Sequence, residues 1–196
     1  MNIEDPINAT PLSSDELDGL KLPHVNTRAQ LDHLEQANIT SGLIWLNRKN
    51  GKDIFSEIFV RKLHKMLFGE VWQWAGTFRT SEKNLGIDPQ HISIQVHNLL
   101  KDAKFWFENN SYNPIMAAVR FHHRLVFIHP FPNGNGRHAR IMANALLTKV
   151  YKMDPIDWAG GYELQVMNQR RKQYITALRD ADTGNFSSLL DFVGIN

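Results

Sequence analysis

The chain has 196 residues, of which 42% are apolar and 21% charged, which suits one globular domain with a modest extension and a buried core. A net charge of +2 implies no strong nucleic-acid or membrane field, and the nine histidines gain charge only below neutral pH. With no cysteine, no signal-peptide pattern at Met1–Pro6 and no apolar run near the ~20 residues of a membrane span, disulfides, thiolate zinc and membrane insertion are excluded and a cytoplasmic location is expected.

Residues 1–26 are rich in Asp, Ser, Pro and Asn and lack a period, so an extended arm is expected before one domain over 27–196. Thr27 to Gln30 fits a capping box, and the helix it opens carries Leu31, Leu34, Asn38 and Trp45 near one face. A second helix carries Phe55, Ile58, Phe59, Leu63, Met66 and Leu67 and is ended by Gly69. Residues 77–88 read as a short hairpin or extended loop. Asp88-Pro89 then caps a third helix through Ile92, Val96, Leu99, Leu100, Ala103 and Trp106. Asn113-Pro114 repeats the device for a fourth, which must stop before Pro130. A fifth helix is expected from Asn135 to Val150, a sixth from about Tyr162 to Asp180 and a short last one around Ser188. The fold class is all-α with one brief β excursion.

Between the fourth and fifth helices runs Ile128-His-Pro-Phe-Pro-Asn-Gly-Asn-Gly-Arg-His-Ala-Arg140. Gly134 and Gly136 permit positive φ and close ligand approach. Successive amides in such a turn form an anion nest, and the next helix N-terminus favours negative charge. Arg137 and Arg140, three apart, share a helix face, and their planar forks suit phosphate oxygens. His129 at the edge is a candidate general base. By spacing alone, a plain turn with solvated arginines is the competing account. His122 and His123 lack the i, i+4 spacing of helical zinc pairs, and His138 is expected at the surface.

The segment resembles the Fic motif, His-x-Phe-x-Asp/Glu-Gly-Asn-Gly-Arg-x-x-Arg, matching it at His129, Phe131, Gly134, Asn135, Gly136, Arg137 and Arg140. Leu63-His64, Trp74-Ala-Gly76, Arg79 and Tyr174 to Phe192 are similar to flanking Fic elements. Asp5-Pro6 to Leu12, Leu34 to Ile39 and Pro132-Asn133 resemble the subgroup called mobile mystery protein B. The resemblance implies a Fic-type helical bundle with a hairpin flap. The activity it implies is protein adenylyltransfer: His129 deprotonates a Ser, Thr or Tyr hydroxyl of a target protein, which attacks the α-phosphate of ATP. Gly134, Asn135 and Gly136 would supply the anion hole, Arg137 would hold the diphosphate and Arg140 the terminal phosphate. Phe131 would anchor the loop.

The departure is Asn133, where the family has a carboxylate for Mg²⁺ (or Mn²⁺); an amide oxygen binds a hard cation without contributing charge. The flap implied at 77–88, with Thr80, Ser81, Glu82, Lys83, Asn84, Leu85, Gly86 and Ile87 at its centre, would hold the target by strand addition. Many Fic proteins carry an inhibitory helix whose glutamate pairs with the second motif arginine. Ser14 to Gly19 has the spacing with Asp18 in place of Glu, and Leu31 to Gln36 keeps Glu35 without the hydroxyl; Glu35 is the preferred candidate. Mobile mystery B proteins resemble members of paired gene arrangements, which implies an antitoxin-like partner; no nucleic-acid partner is expected. The alternatives left open are a nucleotide-binding regulatory module with little turnover, a Fic-type de-AMPylase, and another nucleotidyl or phosphoryl transfer.

Overall fold

The computed structural model describes residues 17–25, 27–51, 53–160, 164 and 168–194. The sequence expectations for residues 1–16, Tyr162 and Met167 therefore lie outside the described residues. Helix α1 spans Arg28–Asn47, and the expected capping box is present: Thr27 accepts from the Gln30 amide while Gln30 reaches back to the Thr27 amide. Helix α2, Glu57–Phe68, starts at the Ser56 cap and ends at Gly69. One correction falls on its face, since Ile58 points outward and is 81% exposed.

A single 3-10 turn, Pro89–His91, capped by Asp88, leads into α3, Ile92–Glu108. Helix α4, Pro114–Ile128, is capped by the Asn113 side chain and ends as expected before Pro130. Helix α5, Asn135–Ala145, continues as a π-helical stretch, Leu146–Tyr151, rather than as regular helix to Val150. Helix α6 begins later than the periodicity predicts, at Gln169, because the Asn168 side chain accepts from the Arg171 amide and caps it there; it ends at Asp182. Helix α7 spans Ser187–Phe192.

Two apolar clusters organise these helices. The larger joins α1 to α5 through Leu31, Val60, Leu63, Leu67, Phe68, Trp72, Val96, Phe121, Leu125 and Phe131. The smaller packs α6 and α7 on the opposite side of α4 and α5, through Ala118, Ala143, Leu147, Trp158, Tyr174 and Leu189. Helices α4 and α5 thus contribute to both clusters, and the turn joining them enters the larger one through Phe131.

Residues 77–88 form an extended loop rather than a ladder-paired hairpin; among the described residues the one isolated β-bridge joins Leu20 to Trp72. The physical reason is where the loop's hydrogen bonds go. Arg79 N–H donates to Pro130 O and Ile87 N–H to Ile128 O, so the two arms pair with the motif segment. No helix among the described residues is long and apolar enough to cross a membrane.

Candidate active site

His129 is the residue that ends α4. Its backbone is left-handed, with φ 53° and ψ 59°, and its amide closes the helix on Leu125 O at 3.2 Å. That turn swings the chain out of the helix just before Pro130. The His129 side chain is buried, and burial first, then the nearby Arg79 guanidinium, lowers its pKa to about 4. A backbone hydrogen bond to Val126 opposes this and Lys83 adds to it more weakly. The imidazole is therefore neutral at pH 7, the form a general base requires.

Phe131 is fully buried and lies parallel to His64, with ring centroids 3.7 Å apart. His64 locks the loop further. Its Nδ1 accepts from the Gly76 amide at 3.0 Å, which leaves Nε2 to donate to Asn133 O at 3.0 Å. Burial lowers its pKa well below the ordinary imidazole value, so this tautomer stays neutral. The Asn135 side chain braces the same loop, Oδ1 accepting from Phe131 N at 2.9 Å and Nδ2 donating to Phe131 O at 2.7 Å. Both ends of the Asn135 amide thereby hold the loop, and its backbone amide lies in the first turn of α5.

Gly134, at φ +78°, is the N-cap of α5; a Cβ there would lie 2.8 Å from the Phe68 ring. As a glycine it offers the first-turn amides of α5 no side-chain cap, which leaves the helix N-terminus suited to an anion. Gly136, expected to share the positive φ, is ordinary helix instead. Asn133 Oδ1 folds back to accept from Gly134 N–H at 2.5 Å. Its neutral oxygen is thus engaged within the turn, and no group of three or more His, Asp or Glu among the described residues is placed to hold a metal ion. The residues present do not fit a protein-held cation.

The two motif arginines diverge. Arg137 Nη1 donates to Glu35 Oε2 at 2.6 Å and lies over the Phe68 ring. Glu35, only 3% exposed, also accepts from Trp72 Nε1 at 2.6 Å. Arg140 instead lies over the Tyr174 ring of α6. Glu35 therefore meets the first motif arginine, not the second as the resemblance implies, because Arg140 lies about one turn further along α5, against Tyr174 of α6. The other inhibitory candidate, Asp18, sits exposed in a turn.

His138 corrects another expectation: it is fully buried, bonds Val60 O through Nε2 at 3.0 Å, and burial lowers its pKa to about 4. His122 is buried on Tyr174 Oη at 2.9 Å. The Trp72 indole on Glu35 had no sequence signal, and Arg79, named only as similar to a flanking element, places its guanidinium on the His129 carbonyl at 2.7 Å. Thr80 to Ile87 run alongside this carbonyl, with Leu85 half exposed.

The profile of the Fic/DOC family matches residues 54–147. A protein adenylyltransferase Fic of Drosophila mojavensis is 29% identical over 140 residues, 68% of this chain and 26% of the relative. A probable protein adenylyltransferase of Aquifex aeolicus is 36% identical over 90 residues, 45% of this chain and 25% of the relative. The chain thus spans about a quarter of the length of these curated relatives. Among solved structures, Caenorhabditis elegans Fic-1 is similar with a TM-score of 0.68 at 23% identity, over 90% of this chain and 51% of that one. The BepC protein of Bartonella tribocorum, solved with bound AMPPNP, gives 0.71 at 16% identity over 93% of this chain and 98% of that one. These structures share the fold. The family match covers the His129 loop, α2 to α5 and the flap, so this stretch of the chain is similar to the Fic/DOC family.

Proposed function

We propose that the chain is a protein adenylyltransferase, moving AMP from ATP to a Ser, Thr or Tyr hydroxyl of a target protein. One observation carries this reading: a neutral, buried histidine stands beside an uncapped helix N-terminus flanked by Arg137 and Arg140. Gly134, Asn135 and Gly136 supply the anion hole, with the Gly134 amide reaching a phosphate once Asn133 Oδ1 releases it, while Arg137 takes the leaving diphosphate and Arg140 the terminal phosphate. The target oxygen bonds to the α-phosphorus as the bond to the α,β-bridging oxygen breaks. His129 takes the hydroxyl proton and diphosphate leaves. Such transfer depends on positioning and charge neutralisation, which this arrangement supplies. The relatives' names, protein adenylyltransferases, support the same reaction.

A divalent cation on the phosphates would neutralise charge there, but Asn133 gives it no anionic ligand. Phe131 anchors the loop, and Thr80, Ser81, Glu82, Lys83, Asn84, Leu85, Gly86 and Ile87 receive the target. Glu35 belongs to the reading as a restraint, since it holds the arginine assigned to the diphosphate. An antitoxin-like partner and a cytoplasmic setting complete it. A second reading, a nucleotide-binding module with little turnover, draws on the Asn133 oxygen folded onto the Gly134 amide.

The deciding experiment incubates the purified chain with α-labelled ATP and Mg²⁺ or Mn²⁺, with His129→Ala alongside. Label on the wild type but not on the variant sustains transfer with His129 as base. ATP binding by calorimetry without label on either protein sustains the second reading instead.

A further inference from the structure

The loop from Arg79 to Ile87 is sewn to the motif on both sides of His129. Arg79 N–H donates to Pro130 O at 2.9 Å, and Ile87 N–H donates to Ile128 O at 3.4 Å. The Arg79 side chain, 3% exposed, then reaches across the same gap. Its Nε donates to His129 O at 2.7 Å, its Nη1 to Ser81 O at 2.9 Å and its Nη2 to Ile87 O at 2.5 Å. One guanidinium holds the carbonyl of the left-handed histidine together with carbonyls near the start and at the end of the loop. Arginine offers five N–H donors in a fixed plane, so these three bonds are made without rearrangement. Lysine carries the same charge on a rotating ammonium and does not reproduce that plane.

We propose that Arg79 is a positioning residue that sets the register between the flap and His129, so that a target segment lying along the flap presents its hydroxyl to the imidazole. The proposal rests on the transferase reading for its function and on the three bonds for its geometry. A non-glycine residue at φ 53° persists only where its surroundings over-determine it, and here the constraint on His129 comes from the flap arms and Arg79. Gly86 shows how close the two segments lie, because a Cβ there would stand 2.5 Å from His129 Cβ and 2.7 Å from Arg79 Nη2. The three bonds of the Arg79 side chain run to the carbonyls of His129, Ser81 and Ile87, none of them assigned to phosphate, so its loss should separate transfer from nucleotide binding.

The test compares the wild-type full chain with Arg79→Lys and with Leu189→Ala, which loosens the second core cluster far from the flap. The readouts are AMP incorporated into the chain from α-labelled ATP, ATP affinity by calorimetry, and hydrogen exchange of the Ile87 amide relative to that of Val60. Arg79→Lys should keep its ATP affinity, lose on the order of 10²-fold in transfer and exchange the Ile87 amide faster. Leu189→Ala should retain transfer and the exchange ratio. Wild-type transfer by Arg79→Lys would overturn the proposal. If the wild type binds ATP and transfers nothing, the transferase reading fails, and exchange alone decides the coupling: an unchanged ratio in Arg79→Lys refutes it and a raised one sustains it.

Discussion

Glu35 and Arg137, 102 positions apart, meet at 2.6 Å and join α1 to the first turn of α5. The pair is largely shielded from solvent, with the carboxylate side chain 4% and the guanidinium 14% exposed. Removing one partner of such a pair leaves the other charge poorly compensated, at a cost of up to about 3 kcal/mol. Glu35→Gln keeps an acceptor for the Trp72 indole and releases Arg137. The expected outcome is a lower melting temperature together with tighter ATP binding and more AMP self-transfer. A variant that is destabilised yet unchanged in ATP affinity would make Glu35 purely architectural.

Asn135 has both ends of its amide committed to Phe131. Asn135→Ala strips two buried bonds and should cost on the order of 2–3 kcal/mol, read as a shift in the urea midpoint at constant slope. Asn135→Asp can still accept from Phe131 N but turns a carboxylate toward Phe131 O, so it should be no more stable than the alanine variant. Equal stability of Asn135→Asp and wild type would show that the Nδ2 bond contributes nothing.

Four buried histidines make the fold acid-sensitive. Burial lowers His64 and His122 well below 6.5, and His129 and His138 to about 4. Each group's folded pKa is depressed, so the unfolded chain binds more protons once the pH drops below about 6.5. Stability should therefore be full above that pH and decline as the pH falls toward 4. The window in which this effect is read is pH 5–6.5, just below the ordinary imidazole value. Thermal melts at pH 7.5 and 5 should differ by several degrees; a flat melting temperature across that window would refute four neutral histidines.

Gly86→Ala places a methyl against His129 at a backbone φ of +98°. The expected penalty is about 1–3 kcal/mol, with loss of transfer as the flap is pushed off the histidine. Leu85→Ala, one residue away and half exposed, should leave stability nearly unchanged. Similar melting temperatures for the two variants would argue against close packing of flap and base.

Asn133→Asp restores a carboxylate beside the phosphates. Its expected effect is a lower Mg²⁺ concentration for half-maximal transfer, measured by titrating the metal at fixed ATP. An unchanged midpoint would remove this position from any metal role.

Helix starts were legible because capping is local. Thr27, Asp88 and Asn113 each accept from an amide two or three residues on, and Gly69 ends α2 where the pattern stops. The motif was legible for the same reason, as its spacing sits within one turn and one helix start. The late start of α6 was hidden because Asn168 carries a cap that competes with an apolar stripe reaching further back. The burial of His138 was hidden because a polar residue on a helix reads as surface until its acceptor, Val60 O, is supplied by another helix.

By itself the sequence determined the all-α class, most of the helix ends and the residues of the His129–Arg140 segment. The tertiary structure decided what those residues face. It set Glu35 on Arg137 rather than Arg140, turned the Asn133 oxygen inward, paired both flap arms with the motif backbone and placed Arg79 on the His129 carbonyl. Periodicity and capping act over a few residues and leave a trace in sequence. The Arg79 and Glu35 contacts close over separations of 50 and 102 residues, where only the packing of α1, α4 and α5 fixes which side chains meet.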